Sequence, residues 1–405
     1  MCLRIWTLSC VLTLGIASPA QVHSKPDADI LTGCAAFAPD GSSAFAAVET
    51  EGISLEITST DGKVAHLRLA LRYPVPASQS ANLTISRRYW TCSVHFSYQS
   101  DVVALGVGSS FGRPELTHLQ VGIADMKTAK WIGDFGVEPQ LDFLPVSLAG
   151  FLGDTTSLVI EGRIRSDGGG ERIGLFASVQ FSPLGKQLSP TPTLRKPTEI
   201  TDAFSSYADA RHNRLWLFSC SFTRVKPYHV PLCPIRVSSL AGEEQFAAAF
   251  DPTGYSRKRE DLWMWPGALA APDSNSIVIA ETVSGKDTVW RVDMQKKSID
   301  RFALPHHHFL KYNGMQNAAL SPDGEVFAVL LRQMKIAFPY LVDNYVFTGT
   351  DVVVMQVRPL RLLGLIPHKD SSYTTALAVD HREGKAIVLV YRQGHLERQE
   401  FSAPH

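Results

Sequence analysis

Short apolar runs separated by Pro-Asp-Gly turns recur along this chain. Residues 37–41 read FAPDG and precede the apolar run 44–48, and residues 320–324 read LSPDG and precede the run 326–330. Proline presets the first corner of a turn, Asp bonds its own backbone, and Gly accepts a positive φ. Such a turn between two apolar runs predicts a β-hairpin, and its recurrence predicts a repeat.

Alignment on the turn gives seven units, and the second unit has the sequence SYQS at 97–100 in place of the Asp. The other six units carry the aspartate at Asp40, Asp154, Asp209, Asp273, Asp323 and Asp380. A second hairpin signature follows in several units and predicts a third and a fourth strand. Each unit is therefore predicted to be a four-stranded antiparallel sheet. The alternative, two β-sandwiches with chance turns, does not account for two signatures in a fixed order.

With these signatures the chain resembles the WD-repeat-like, TolB-type β-propellers of exported proteins, over nearly all of residues 30–403. The expected fold is all-β, a seven-bladed β-propeller of four-stranded antiparallel blades that forms a single domain over 30–403. The turn spacing predicts blades that begin near residues 30, 90, 145, 202, 267, 315 and 373. The last unit shows only three strands, and residues 21–30 are polar, so the manner of ring closure stays open.

The chain has 405 residues, with 39 Lys plus Arg and 39 Asp plus Glu. This balance, without a long basic run, argues against a nucleic-acid partner and a basic membrane-surface patch. Residues 1–20 read as a signal peptide, because Arg4 precedes a short apolar stretch and small residues at 18–20 offer a cleavage site. The mature chain is expected to be secreted or periplasmic, without a membrane span. Asn82 begins a glycosylation sequon, which matters only if the source glycosylates exported proteins.

Removal of the signal peptide leaves four cysteines, an even number that suggests disulfides in an exported chain. Cys220 would end a strand over 215–222 and Cys233 would begin the next strand, with a loop at 223–231 between them. Hairpin partners can approach within the reach of a disulfide, so we predict a Cys220–Cys233 bridge. Two separate buried thiols are the alternative.

Cys34 and Cys92 begin the first strands of neighbouring units. Their offsets from Phe37 and Phe96 differ by one residue, which turns the two cysteines to opposite faces. On this argument they are a weaker candidate pair than Cys220 and Cys233, and whether they pair stays open.

The loops at one end of the predicted blades carry aromatic, arginine and histidine residues, which commonly anchor ligands. Propellers usually bind ligands at this face, which holds the connections between blades. The candidate ligand-binding residues are Arg87, Arg88, Trp90, Trp263, Trp265, His306, His308, Tyr312 and Tyr340. In the alternative reading half of the aromatic residues pack between blades, so the clustering carries more weight than any single member.

No complete catalytic motif is present. Residues 306–308 are three histidines, but no Cys or carboxylate cluster adjoins them, so a solvated loop is favoured over a metal site. Residues 108–112 match G-x-S-x-G, yet Pro114 and a strand-like run follow where a nucleophile elbow requires a helix. The first strands carry no central carboxylate for a hard cation. We therefore expect no metal and no cofactor.

The leading functional hypothesis is an exported, non-catalytic propeller that binds a peptide, protein or glycan at its aromatic loop face. The alternative is a propeller enzyme, a lyase or a quinoprotein-like oxidoreductase, with its site at the channel mouth. Convergence of His95, the 306–308 loop and Arg87 or Arg88 in one pocket would favour the enzyme. The missing carboxylates favour the binding protein.

Overall fold

The computed structural model describes a chain whose secondary structure is entirely β-strand within the described ranges. These ranges are 30–49, 51–73, 89–110, 117–139, 144–151, 157–163, 174–180, 193–195, 203–209, 214–219, 221–225, 228–238, 244–250, 267–270, 276–283, 286–293, 296, 298–304, 310–336, 345–368, 374–392 and 395–403. Within them, no helix has the length and apolar character needed to cross a membrane.

The described strands form seven antiparallel sheets, numbered here in chain order. Sheet 1 contains β1 Ile30–Phe37, β2 Ser43–Glu49, β3 Gly52–Thr58 and β4 Val64–Leu69; sheet 2 contains β5 Tyr89–Phe96, β6 Val102–Ser110, β7 Thr117–Asp125 and β8 Lys130–Val137. Sheet 3 contains β9 Leu144–Phe151, β10 Ser157–Arg163, β11 Gly174–Gln180 and β12 Thr193–Arg195.

Sheets 4 to 7 complete the described part of the chain. Sheet 4 contains β13 Ala203–Asp209, β14 Arg214–Ser219, β15 Ser221–Val225, β16 Tyr228–Ser238 and β17 Glu244–Phe250; sheet 5 contains β18 Gly267–Ala270, β19 Ser276–Val283, β20 Lys286–Asp293 and β21 Ser298–Ala303. Sheet 6 contains β22 Leu310–Leu320, β23 Val326–Ile336, β24 Tyr345–Gln356 and β25 Arg361–His368; sheet 7 contains β26 Thr374–Arg382, β27 Lys385–Arg392 and β28 His395–Ser402.

The first strand of each sheet begins at or within a few residues of the position that the turn spacing predicts. Five sheets have the predicted four strands, and sheet 7 has three described strands, as its sequence indicated. Sheet 4 departs from the prediction, because residues 223–231 were expected to form a loop. Instead, β15 and β16 pair as a hairpin as far as Val225 and Tyr228.

The hydrophobic core lies between successive sheets. Alternate residues of β2, Ala44, Ala46 and Val48, are buried against Val103 and Leu105 of sheet 2. The first strands contact one another in chain order from β1 through β5, β9, β13, β18 and β22 to β26, and β26 in turn contacts β1. Period-two alternation therefore gives sheet 2 two apolar faces, one packed on sheet 1 and the other on sheet 3.

The repeated turns have the local structure that their sequence predicts. The Asp40 carboxylate accepts a hydrogen bond from the Ser42 backbone N–H at 2.9 Å, and the Asp323 carboxylate accepts one from Glu325 at 3.1 Å. Gly41 has a φ of 95° in the first turn, a conformation that glycine adopts without a steric penalty. The recurring Pro-Asp-Gly signature is thus confirmed as a strand-joining turn.

The last unit places its aspartate differently from the prediction. Asp380 lies inside β26 and is buried, and the turn is formed by Glu383 and Gly384, whose φ angles are 51° and 70°. Two consecutive positive φ angles are characteristic of a tight two-residue hairpin. The side chain of Asp380 is consequently available to the neighbouring Arg382, whose Nε lies 2.7 Å from its carboxylate.

A disulfide joins Cys34 of β1 to Cys92 of β5, with a Cα–Cα distance of 5.4 Å. The sequence ranks this pair below Cys220–Cys233 and leaves it open. The parity argument holds for two strands of one sheet, whereas these strands belong to sheets that pack face to face. Stacked sheets meet through opposite faces, so the one-residue difference in offset is what directs the two cysteines towards each other.

Sheet 7 packs on sheet 1 through its inner strands. The rings of Phe45 in β2 and Tyr391 in β27 lie with their centroids 4.4 Å apart. Arg382 donates a hydrogen bond to the Pro39 carbonyl in the first turn, at 3.5 Å. Sheets 7 and 1 are therefore held by side-chain packing, and the described part of the chain contains no strand shared between them.

Candidate functional site

The antiparallel order of the strands gives the molecule two loop-bearing faces. The turns between first and second strands, at Asp40, Ser97–Ser100, Asp323 and Glu383, lie on one face, which we call the turn face. The first strands begin on the opposite face, where the chain passes between sheets, and we call it the connection face.

On the turn face, polar contacts link neighbouring sheets. The Asp40 backbone N–H donates to the Ser100 hydroxyl at 3.3 Å, which links the turns of sheets 1 and 2. His381 of sheet 7 has its Nδ1 2.7 Å from an oxygen of Asp323 in the turn of sheet 6. The repeated turn aspartate therefore serves both its own hairpin and the contact between sheets.

His381 has a hydrogen-bond acceptor at each ring nitrogen, because its Nε2 lies 3.2 Å from the Ala403 carbonyl. Its side chain is 2% exposed, whereas that of Asp323 is 41% exposed. Burial by itself would lower the pKa of His381, but the bonds to Asp323 and Ala403 outweigh it and raise the pKa above its usual value. The protonated imidazole is thus the form that fits this site.

On the connection face, sheet 6 extends beyond its neighbours. The last described pair of β24 with β25 is Thr350–His368, whereas β23 and β24 are paired as far as Ile336 and Tyr345. The start of β22 accompanies them, with Leu310 opposite Lys335. Residues 310–314, 333–336 and 345–349 form what we call the sheet 6 projection.

Sheet 4 carries a second extension on the same face. Within the described residues, the last pair of the outer strand β17 is Cys233–Phe250 and the last pair of β13 is Ala203–Ser219. The strands β15 and β16 continue as a two-stranded hairpin over residues 221–225 and 228–232. We call this hairpin the sheet 4 projection. The two projections stand on either side of sheet 5, whose neighbours in the ring of contacts are sheets 4 and 6.

The candidate residues from the sequence are distributed unevenly over the described structure. Trp90 is half-buried and packs against the core between sheets 1 and 2. Tyr312 lies in the sheet 6 projection, opposite Gln333. The remaining candidates lie outside the described residues; they are Arg87, Arg88, Trp263, Trp265, His306, His308 and Tyr340.

The sequence analysis missed the length of the two projections. The signal for the first was the aromatic and β-branched content of residues 345–348, which favours strand. The pairing of β23 with β24 continues through these residues. The signal for the second was the β-branched and aromatic content of residues 221–230, which favours strand over loop. Proline at 231 obscured it, although the structure accommodates Pro231 opposite Phe222.

Three alternate polar residues of β5 bond to sheet 3. Thr91 donates to the Val146 carbonyl at 2.7 Å, the Leu148 N–H donates to the Ser93 hydroxyl at 3.3 Å, and His95 Nε2 donates to the Leu148 carbonyl at 2.9 Å. Burial lowers the pKa of His95 to about 4, against the opposing effect of that carbonyl. His95 is therefore a neutral residue that fastens β9 to β5.

The first three residues of the G-x-S-x-G match lie in an extended strand. Residues 108 to 110 continue β6 and pair with β7, Ser110 opposite Thr117. A Cβ atom on Gly108 would lie within 3.0 Å of both the Thr91 hydroxyl and the Val146 carbonyl oxygen. The glycine at 108 is thus required by the close approach of β9, which explains its presence without a nucleophile elbow.

Substitution Gly108→Ala should lower the free energy of unfolding by about 1–3 kcal/mol, because the added methyl meets backbone that cannot move away. Gly136→Ala is the comparison variant, since its Cβ would meet the side chains of Tyr73 and Arg72, which can shift at the cost of their own contacts. Urea denaturation of both variants measures the difference. Equal losses in the two variants would contradict the packing argument.

No group of three or more His, Cys, Asp and Glu residues in the described ranges is arranged to hold a metal ion. A different polar cluster occurs beside the connection from sheet 1 to sheet 2. Tyr73 donates to Glu138 at 2.6 Å, His118 Nδ1 lies 2.9 Å from the same carboxylate, and the Tyr73 and His118 rings stack with centroids 4.4 Å apart. This cluster fastens the segment after β4 to sheet 2.

The predicted Cys220–Cys233 bridge involves a residue outside the described ranges, Cys220, so it stays a prediction. The described pairs on either side, Phe218–Ile235 and Ser221–Leu232, share one register, which is the register that the bridge requires. We expect non-reducing peptide mapping of protein from an oxidising compartment to recover the two cysteines in one linked peptide. Free thiols at both positions would contradict it.

No protein-family model and no curated protein matches the sequence. Solved structures similar to this chain are β-propellers. They include the propeller domain of the trilobed protease from Pyrococcus furiosus (9% identity, 92% of this chain and 94% of that chain covered, TM-score 0.45). The Dos1 propeller is 14% identical with 95% of each chain covered and a TM-score of 0.44, and streptogramin B lyase is 10% identical with 94% and 96% covered and a TM-score of 0.47.

Proposed function

We propose that this chain is an exported, non-catalytic seven-bladed β-propeller of the WD-repeat-like, TolB type. In this proposal the seven sheets are the blades, and the contact of β26 with β1 closes the ring. The protein binds a peptide, protein or glycan at the connection face. Closure then depends on the packing of sheet 7 against sheet 1 and needs no shared strand.

The observation that carries the proposal is the extension of sheets 4 and 6 on one face. Both projections arise where second strands lead into third strands, on the face that also receives the connections between sheets. They bring aromatic positions to that face; these are Phe222, Tyr228, Tyr312, Tyr345 and Phe347. Rigid strand pairs hold anchor residues at a lower entropic cost than loops do.

The surroundings of His95 favour the binding protein over the enzyme alternative. That residue was the proposed meeting point with the 306–308 loop, yet its Nε2 is bonded to the Leu148 carbonyl. With a pKa lowered to about 4 by burial, it is poorly suited to donate a proton near neutral pH. On the described part of the turn face, polar groups such as Asp323 and His381 are likewise bonded to each other between sheets.

The test is a comparison of ligand binding before and after removal of two tryptophans. Ligand is captured from the exported fraction with the wild-type protein and purified, and its affinity is then measured for the Trp263→Ala/Trp265→Ala variant. We expect a loss of at least about tenfold, because buried aromatic anchors dominate binding energy. Tyr98→Ala is the control, since Tyr98 lies on the turn face and is 48% exposed.

A different pattern would identify the two tryptophans as core residues. In that case thermal unfolding falls sharply, while the affinity of the folded fraction is unchanged. Truncation of a buried Trp costs about 3–5 kcal/mol, so the two outcomes are easily separated.

A further inference from the structure

His381 joins three parts of the chain on the turn face. It lies on β26 of sheet 7, its Nδ1 is 2.7 Å from Asp323 Oδ2 in the turn of sheet 6, and its Nε2 is 3.2 Å from the carbonyl oxygen of Ala403, just after β28. An ionised carboxylate and a carbonyl only accept hydrogen bonds, so only the doubly protonated imidazolium can donate to both. We call these three residues the clasp.

A neutral imidazole has one N–H and must give up one of the two bonds of the clasp. Ala403 is 0% exposed, so water cannot replace the imidazole at its carbonyl, and a buried acceptor without a donor is costly. The side chain of Asp323 is 41% exposed, so water can hydrate its Oδ2. The neutral ring of His381 therefore keeps its proton on Nε2 and presents the Nδ1 lone pair to the carboxylate, which repels it.

The turn of sheet 6 keeps its structure without the clasp. The Ser321 hydroxyl and the Glu325 N–H both donate to Asp323 Oδ1, at 2.6 and 3.1 Å, and neither bond involves Oδ2. The turn can thus move away from sheet 7 as a unit. Sheet 7 stays attached to sheet 1 through the bond from Arg382 to the Pro39 carbonyl.

We propose that His381 is a pH-sensitive switch: when its imidazole loses one proton, the turn of sheet 6 separates from sheet 7 on the turn face. The bond between His381 and Ala403 is kept in both states. The switch lies on the face opposite to the connection face, so this inference goes beyond the proposed binding function and does not depend on it.

The charged groups around His381 set the pH at which the clasp opens. Those on the elements packed around it are Asp323 and Glu325 in the turn of sheet 6, Arg358 after β24, Asp380 and Arg382 on β26, Glu383 in the turn that follows, and Lys385 on β27. Arg358 lies 2.8 Å from Glu325, and Arg382 lies 2.7 Å from Asp380, whereas Asp323 is bonded to the ring itself.

The direction of the switch follows from the same contacts. Burial would lower the pKa of His381, but its bonds to Asp323 and Ala403 raise the pKa above the ordinary value of 6.5. The clasp is therefore closed in acid and opens as the pH rises through the folded value.

The first measurement is nuclear magnetic resonance of the wild-type protein with labelled histidine nitrogens, between about pH 6 and pH 9, a range chosen around the histidine titration. The nitrogen chemical shifts report which ring nitrogen carries a proton. We expect His381 to be protonated on both nitrogens at the acidic end and on Nε2 alone at the basic end. A neutral ring protonated on Nδ1, or a ring that does not titrate in this range, would overturn the proposal.

The second measurement is the rate at which diethyl pyrocarbonate modifies His381, because this reagent attacks a neutral imidazole that it can reach. At about pH 8 we expect a rate at least about tenfold higher in the wild-type protein than in the Asp323→Asn variant, whose amide N–H donates to Nδ1 and keeps the clasp closed. The Asp323→Ala variant should react at least as fast as the wild type.

His66 is the internal control, since its side chain is 72% exposed and should react equally in all three proteins. Equal modification of His381 in the wild-type and Asp323→Asn proteins would show that the turn of sheet 6 stays in place when the ring is neutral, and the switch would be wrong.

Discussion

Loss of the Cys34–Cys92 disulfide should lower the free energy of unfolding by about 4 kcal/mol. The bond closes a loop with a sequence separation of 58 residues, and the unfolded chain loses conformational entropy in proportion to the logarithm of loop length. Cys34 is buried in the core between sheets 1 and 2, so the bond also holds two stacked sheets in register. Guanidinium denaturation of the Cys34→Ala/Cys92→Ala variant measures the loss.

The two single variants supply the control. Each one breaks the same bond, so Cys34→Ala and Cys92→Ala should each cost nearly as much as the double variant, in strong departure from additivity. Reduction of the wild-type protein should bring its stability close to that of the variants. Additive single losses would show that the two side chains contribute only by packing.

Replacement of Asp323 by Ala should lower the free energy of unfolding by roughly 2–4 kcal/mol, since it removes a charged partner of His381 together with two bonds inside the turn. The Ser321 hydroxyl donates to the same carboxylate at 2.6 Å, and the Glu325 N–H donates to it at 3.1 Å. Asp61→Ala is the matched control. Asp61 is bonded to Ser59 and Lys63 of its own exposed hairpin.

This contact should also make stability depend on pH. Because the pKa of His381 is raised in the folded protein, its contribution is complete below the unfolded value of about 6.5 and is lost as pH rises through the folded value. The charged groups around it are Asp323, Glu325, Asp380 and Arg382. Burial raises the pKa of Asp380 above its ordinary value of 3.8.

The measurement is the stability of wild-type and Asp323→Asn proteins between about pH 6 and pH 9, a range chosen around the histidine titration. We expect the wild-type protein to lose stability as the pH rises and the variant to show a flatter profile. An identical slope in both proteins would mean that Asp323 does not maintain the protonated imidazole.

The strand positions could be predicted because their determinants are local. The turn at Asp323 needs only its own serine, proline and glycine neighbours, and the apolar run after it follows from period-two alternation. The position of Asp380 could not be predicted in this way. Its turn lies at Glu383 and Gly384, and the residue that resembles a turn aspartate is buried beside Arg382.

The pairing of Cys34 with Cys92 depends on how sheets stack, which no single repeat specifies. The offsets from Phe37 and Phe96 correctly placed the two cysteines on opposite faces. The rule then used holds for two strands of one sheet, whereas these strands belong to two stacked sheets. The projections were missed for a related reason, since strand length is decided by the partner strand. Pairing between Ile336 and Tyr345 across the intervening segment extends β23 well beyond the length of β27 in sheet 7.

The disulfide between sheets 1 and 2 determines the order in which the sheets would separate under mechanical force. If force were applied between Ile30 and Ala403, sheet 7 would carry the load through Tyr391 and Arg382, which hold it to sheet 1 by non-covalent contacts. Sheet 1 could not peel away alone, because the Cys34–Cys92 bond would transmit the pull to sheet 2. The contact between sheets 7 and 1 would therefore yield first, with β1 to β8 acting as one mechanical unit.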